Sequence, residues 1–278
     1  MKASVTAPEL HPPAWAVGDI HGQIAKLMGL LLDQKLVDAK GNWSGNNASL
    51  WLLGDFVDRG LDSVGVLDLV MRLQRQAADI GGEVRAVLGN HDATLLSAYL
   101  LGGAGTSGPR GTFLLDWEHN GGLERDLTRL ADRHVEWLRS LPAVGRGQER
   151  IYMHADSLFY TDYGQTVQTI NDKIGDIMNA PDADAWDTLL KQFSDRDAFS
   201  DRRPNGMTNA RRFLEVYGGR QIIHGHTPIC KVTGEPAAAV ATALIYADDL
   251  CVNVDGGMYL GGPGFVFAVE PFDTPVVL

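Results

Sequence analysis

The chain has 278 residues, of which 45% are hydrophobic and 21% charged, and a formal net charge of -11. That length and balance read as a water-soluble globular protein with room for a substantial core, and argue against a disordered or membrane-spanning chain. The acidic charge argues against a polynucleotide partner, although cations held in a site could still focus positive potential on a small anion.

The opening residues, MKASVTAPELHPPAW, hold no apolar stretch of the secretory kind, and a cytoplasmic location is expected. AWAVGD at 14–19 predicts a strand, and IAKLMGLLLDQKL at 24–36 has helical periodicity. LWLLGD at 50–55 predicts a second strand, SVGVLDLVMRLQRQAA at 63–78 a helix, and VRAVLGN at 84–90 a third strand, with Gly81 and Gly82 as the helix stop. This alternation predicts an α/β layered fold. Further strands are expected at 150–154, 221–224, 251–255 and 264–269. The stretches 112–140 and 165–217 look helical and interrupt the rhythm, so they are expected as insertions forming a cap on one domain spanning 1–278. PAAAVATALIYA at 236–247 is too short to cross a bilayer and runs into Asp248 and Asp249. No membrane association is expected. Cys230 and Cys251, without C-x-x-C spacing, are expected to be reduced and buried.

The first three strands end alike, in an apolar run, a glycine and an acid or amide: GDIHG at 18–22, GDFVDRG at 54–60 and GNHD at 89–92. In open α/β sheets, sites form beyond the carboxyl ends of the strands. Asp19, His21, Asp55, Asn90 and His91 are therefore expected at one edge. Asp19 and His21 lie two apart, so on a strand-like segment they point the same way. His154 in IYMHAD and His226 in IIHGHTP follow later strands. Mixed imidazole, carboxylate and amide donors suit manganese, iron or zinc. Two such dications against Asp19 and Asp55 leave a net positive centre for a phosphate dianion, and two-metal hydrolytic sites clamp the attacking and leaving oxygens.

Together these motifs resemble the calcineurin-like metallophosphoesterases. GDFVDRG resembles their phosphoprotein phosphatase branch, and HAD and GHTP its bacterial and phage-type members. The resemblance implies a layered β-sandwich flanked by helices and two divalent cations, manganese first, with iron or zinc as alternatives. It implies that Asp19 and His21 bind the first metal, that Asp55 bridges, and that Asn90, His154 and His226 bind the second. It further implies a metal-bridging hydroxide that attacks phosphorus in line, with no phosphoenzyme. His91 would be the general acid, Asp58 would hold His91 protonated and oriented, and Arg59 would grip the phosphate. A second phosphate-binding arginine is expected among Arg196, Arg202, Arg203, Arg211 and Arg212, with Arg196 favoured.

Each residue alone has a plainer reading. GDIHG alone could be a turn, Asp58-Arg59 a surface ion pair and His154 a core histidine. His11, His119, His134 and His224 keep structural readings. The glycine-rich tract GGAGTSGPRG at 102–111 lacks the Gly-Lys-Ser/Thr ending of a nucleotide loop. It is expected as a mobile loop near the cleft, with Arg110 as a weak candidate for substrate contact.

The chain departs from eukaryotic-type members in reading GNHD for GNHE, HAD for HGG, and NVDGGMY where an aromatic tail motif is usual. GNHDATLL also resembles the diadenosine tetraphosphate hydrolases. The expected substrate is therefore a phosphorylated serine or threonine of a protein, with phosphotyrosine or a small phosphoester also open. A symmetrical diadenosine tetraphosphate hydrolase is the alternative, and an inactive scaffold comes third. An adenine site would need an aromatic platform or an apolar slot in the insertions, and the sequence does not place Trp117, Trp137 or Trp186.

Overall fold

β1 (Ala14–Val17), α1 (Ile24–Asp33), β2 (Ser49–Leu52), α2 (Ser63–Asp79) and β3 (Glu83–Ala86) carry the alternation expected from the sequence. They open a computed structural model that describes residues 12–272, so His11 lies outside the described residues. α3 (Asn90–Leu101), α4 (Phe113–His119), α5 (Glu124–Arg129) and α6 (Asp132–Ser140) follow. Next come β4 (Val144–Gly147), β5 (Arg150–Met153), α7 (Val167–Asn179), α8 (Ala183–Phe193) and α9 (Gly206–Tyr217). β6 (Gln221–His224), α10 (Ile229–Thr233), β7 (Leu244–Tyr246), β8 (Cys251–Asn253) and β9 (Phe267–Ala268) complete the order.

The strands form two sheets, ordered β3-β2-β1-β9 and β4-β5-β6-β8-β7. β1, β2 and β3 run parallel in the first, and β5, β6 and β8 run parallel in the second. The antiparallel strands β9, β4 and β7 occupy sheet edges. Side chains alternate between two cores, as strand geometry requires. Ala16, Trp51, Tyr152, Ile223 and Val252 meet between the sheets, where Trp51 and Tyr152 stack with ring centroids 4.0 Å apart. Val17, Leu50, Leu52, Ile151 and Ile222 face the helical layers. With both faces covered, these strands read as continuous apolar runs.

Some boundaries differ from expectation. α1 stops at Asp33 because Lys35 turns into the left-handed region at φ 58°. β3 ends at Ala86, and Asn90 and His91 open a helix instead of closing a strand. Gly89 caps that helix, and Asp92 in its first turn accepts the Gly89 N–H at 3.0 Å. β4 and β7 were not expected. The insertions become α4–α6 and α7–α9; α5 and α6 pack on α2, α4 and α8 on α3, and α7 and α9 on the second sheet. Among the described residues no helix is long and apolar enough to cross a membrane. Cys230 and Cys251 are buried and unpaired.

Candidate active site

Six parallel strands point their carboxyl ends to one edge, three from each sheet. The loops after them carry every candidate ligand. Those loops fold tightly: His21, Asp55, Asp58, Arg59 and His226 all hold positive φ, between 46° and 70°. Side chains rarely take that conformation, and it persists where surroundings enforce it. Glycine allows the close approach. A Cβ at Gly89 would strike the Asp55 amide and carboxylate, and one at Gly225 would strike the Asp19 carboxylate.

Asp55 lies centrally. Its Oδ2 is 3.5 Å from His21 Nε2, and its Oδ1 is 3.3 Å from His154 Nε2. Asp19 Oδ2 lies 3.9 Å from His21 Nε2, while its Oδ1 accepts the His226 N–H at 2.8 Å. On the far side of Asp55, Asn90 Oδ1 lies 3.0 Å from both His154 Nε2 and His226 Nδ1. Those two ring nitrogens are 3.1 Å apart. His21 and His154 turn Nδ1 to the carbonyls of Val57 (2.9 Å) and Leu53 (2.8 Å), which leaves Nε2 free to ligate. The six expected ligands are thus brought together.

Two triads of acid and imidazole donors lie close enough together to hold an ion, His21 with Asp55 and His91, and Asp55 with His154 and His226; Asp19 belongs to neither. The titratable groups of the site are buried and closely packed, so each shifts its neighbours. Burial, then the charge of Asp255, raises Asp19 well above the usual carboxylate range. Burial also raises Asp55, but His154 and His91 outweigh it and hold that carboxyl well below its usual range. Burial opposes charge on His154, yet Asp55 and Asp19 lift it to about 10. His21 and His226 are lowered well below their ordinary value, chiefly by burial, so both favour the neutral form that ligates. One cation already sits there: the Arg59 guanidinium lies 2.7 Å from both His21 Nε2 and His91 Nε2, above the Tyr259 ring at 4.2 Å. The donor set fits two divalent cations.

His91 Nδ1 pairs with Asp58 Oδ2 at 2.7 Å, and the indole N–H of Trp117 donates to Asp58 Oδ1 at 2.7 Å. Asp58 is fully buried, and that burial raises its carboxyl despite both hydrogen bonds. Arg196 is exposed, yet it stands close enough to His226 for its charge to disfavour the imidazolium. Its neighbours are tied to the segment after His154: Asp197 N–H to Asp156 Oδ1 at 3.1 Å, and Ser157 Oγ to Asp195 at 2.7 Å. Arg211 is engaged by Asp248 at 2.9 Å, and Arg110 turns to His119 at 3.2 Å. His134 is buried and caps its own helix, and buried His224 meets the Tyr246 hydroxyl at 2.7 Å.

Four more residues shape the site without a motif that assigns them a role in the sequence. Asp92 accepts the N–H groups of Asp55 (2.8 Å), Phe56 (2.9 Å) and Gly89 (3.0 Å), so it clamps two ligand loops together. Burial and the Asp55 charge push it up to about 7 against those donors. An acid three residues after a glycine that starts a helix was the available signal. Trp117, Tyr259 and Asp255 reach the site from distant segments and leave no local sign; Asp255 is fully buried with one carboxylate oxygen unpartnered.

Comparison with known proteins agrees with this geometry. The chain is 36% identical over 84 residues to Shewanella-like protein phosphatase 1 of Plasmodium berghei, covering 30% of this chain and 23% of that protein. It is 35% identical over 130 residues to the symmetrical bis(5'-nucleosyl)-tetraphosphatase of Yersinia pestis, covering 47% of this chain and 36% of that one. The matched stretches therefore span well under half of either relative. The cold-active protein-tyrosine phosphatase of a psychrophilic Shewanella shares the fold, with a TM-score of 0.68 at 22% identity over 93% of this chain and 75% of that one. The family model described as calcineurin-like phosphoesterase matches residues 12–230, and the chain belongs to that family.

Proposed function

We propose that this protein is a dinuclear-metal-dependent phosphoric monoester hydrolase acting on phosphoserine or phosphothreonine in proteins. The observation that carries this reading is Asp55, buried between His21 on one side and His154 on the other, with the Asp58–His91 pair and Arg59 alongside. Asp19, His21 and Asp55 would hold one cation, and Asp55, Asn90, His154 and His226 the other. Manganese is the first choice, with iron or zinc as alternatives for these mixed donors. Two such cations would supply Lewis acidity and make water a better nucleophile near neutral pH.

The protein's own residues do the rest. His91 gives a proton from Nε2 to the leaving oxygen, while Asp58 holds the opposite ring nitrogen. Arg59 exchanges its two imidazole partners for two phosphate oxygens, with Tyr259 guiding the guanidinium. Arg196, in the exposed loop after α8, contacts the phosphate. Buried, unpaired Cys230 and Cys251 are consistent with a reducing, cytoplasmic setting.

A second reading, symmetrical cleavage of diadenosine tetraphosphate, is favoured by the 130-residue match to the Yersinia enzyme. Trp117, Trp137 and Trp186 give it no support. Trp117 and Trp186 are wholly buried, and Trp137 packs on Phe56 and donates to Gln74, so none offers a face to adenine. The scaffold reading is weakened by the complete ligand set. The test is turnover by manganese-loaded protein on a phosphoserine peptide and on diadenosine tetraphosphate. Preference for the peptide is expected. Preference for the dinucleotide would replace the first reading with the second, and inactivity on both with two metals bound would favour the scaffold.

A further inference from the structure

Beside His91 lies a cavity of about 160 Å³ between α3, α4, the end of α8 and the glycine-rich loop 102–111. Asn90 and His91 form its floor, and Thr94 and Thr106 line its walls. The loop is fastened on two sides. Asp116 of α4 accepts hydrogen bonds from Thr106 and from the Arg110 N–H. Across the cavity, Asp187 of α8 accepts the Ser107 N–H at 3.2 Å and its hydroxyl at 2.5 Å. This latch joins the loop that follows α3 to the second insertion.

We infer that this cavity is the leaving-group subsite, and that the Ser107–Asp187 latch restricts it to compact polar alkyl alcohols. The inference rests on the phosphomonoesterase reading, because it places the leaving oxygen at His91. Hydrolysis forms a phosphorus–oxygen bond to water and breaks the bond to the leaving alcohol, whose oxygen takes the His91 proton; the proton lost by water restores His91. The leaving alcohol must therefore sit within reach of His91, which lines this cavity. The space is well below the roughly 300–1,000 Å³ of sites that enclose drug-sized ligands, so a nucleotide leaving group would project out of it into solvent. Its one aromatic neighbour, Phe113, is 1% exposed and gives no stacking face. A seryl or threonyl side chain fits, with hydroxyl and amide partners at hand.

The test compares kcat/KM on a phosphoserine peptide and on p-nitrophenyl phosphate, an aryl ester, for the manganese-loaded protein and its Ser107→Ala and Asp187→Ala variants. Ser107 and Asp187 lie outside the candidate ligand groups. Wild-type protein is expected to favour the peptide, and both variants should lose about tenfold of that preference, the scale on which pocket shape discriminates. Inhibition by inorganic phosphate, which has no leaving group, should stay unchanged, as should metal content. Thr94→Met, which fills the cavity, should raise KM for both esters and leave phosphate inhibition unchanged. A wild-type enzyme that turns over the peptide while its latch variants keep the same preference would overturn this inference and leave the functional reading standing. A wild-type enzyme that turns over neither ester, or prefers the aryl one, would overturn this inference; inactivity on both esters would overturn the functional reading as well.

Discussion

The two sheets contribute unequal halves to one site. The first sheet supplies three loops bound to one another: Asp92 joins GDFVD to GNHD, Asp58 joins His91 to Trp117, and Gly22 N–H donates to the Phe56 carbonyl. The second sheet supplies His154 and His226, single residues each anchored to the first sheet, through the Leu53 carbonyl and the Asp19 carboxylate. The first half is organised by contacts among neighbouring loops, and the second borrows its order from the first. Damage to the first half should therefore spread, and damage to the second should stay local.

Asp55 belongs to both halves, and its replacement should have the largest effect. Asp55→Asn is expected to lose both metals and to cost more than the ~10²–10⁴-fold typical of one acid–base group. Metal analysis of the purified variant tests this directly, and two retained equivalents would refute a bridging role. His91→Asn should reduce kcat by about 10²–10⁴-fold with both metals kept. A fall in metal content would instead make His91 a ligand, an arrangement its grouping with His21 and Asp55 leaves geometrically open.

Asp92→Ala separates the halves more sharply, since Asp92 touches no substrate or candidate metal position. Three buried N–H groups lose their acceptor, a cost of about 3 kcal/mol or more before water or relaxation compensates. Turnover should fall about 10–100-fold, as when groups that orient ligands are removed. The thermal midpoint and the metal affinity should fall together. Intact metal affinity in a destabilised variant would show that the loops hold their shape without the clamp. Trp117→Phe is milder. It leaves one buried Asp58 oxygen without a donor, at about 1–3 kcal/mol, and loosens the partner of His91. The pH profile of kcat should shift while KM for substrate stays the same.

This inequality also explains what the sequence disclosed. The first half was legible because each loop packs its ligands, its glycine and its partners into a few consecutive residues; GDFVDRG holds Asp55, Asp58 and Arg59 in five positions. The parallel strands were legible as apolar runs because both faces are buried. β7 escaped because its edge position leaves Leu244, Ile245 and Tyr246 only partly covered, without a clean alternation. α3 escaped because it is buried nearly all round, which erases helical periodicity. Trp117 lies 59 residues from Asp58 in sequence, and no local pattern marks such a contact.

Arg196 gives the smallest effect and the finest measure of the second half. Its loop is exposed, yet the residues on either side are fixed to the segment after His154, by Asp197 N–H on Asp156 and Ser157 on Asp195. That segment also carries the Ala198 N–H bond to the Asp156 carbonyl, at 2.9 Å. Arg196 is therefore held by the chain turn that follows His154. An exposed charge facing a phosphate is worth about 0.2–1 kcal/mol, so Arg196→Ala should raise KM about 1.4- to fivefold and leave kcat and metal content unchanged. High salt should shrink the difference between variant and wild type, because screening removes what the substitution removes. Asp156→Ala should give the same KM effect by releasing the loop, and the double variant should add little to either single change. Additive effects would mean that Asp156 acts on the site by another route, through Tyr246 and His224, and that the second half has an internal order of its own.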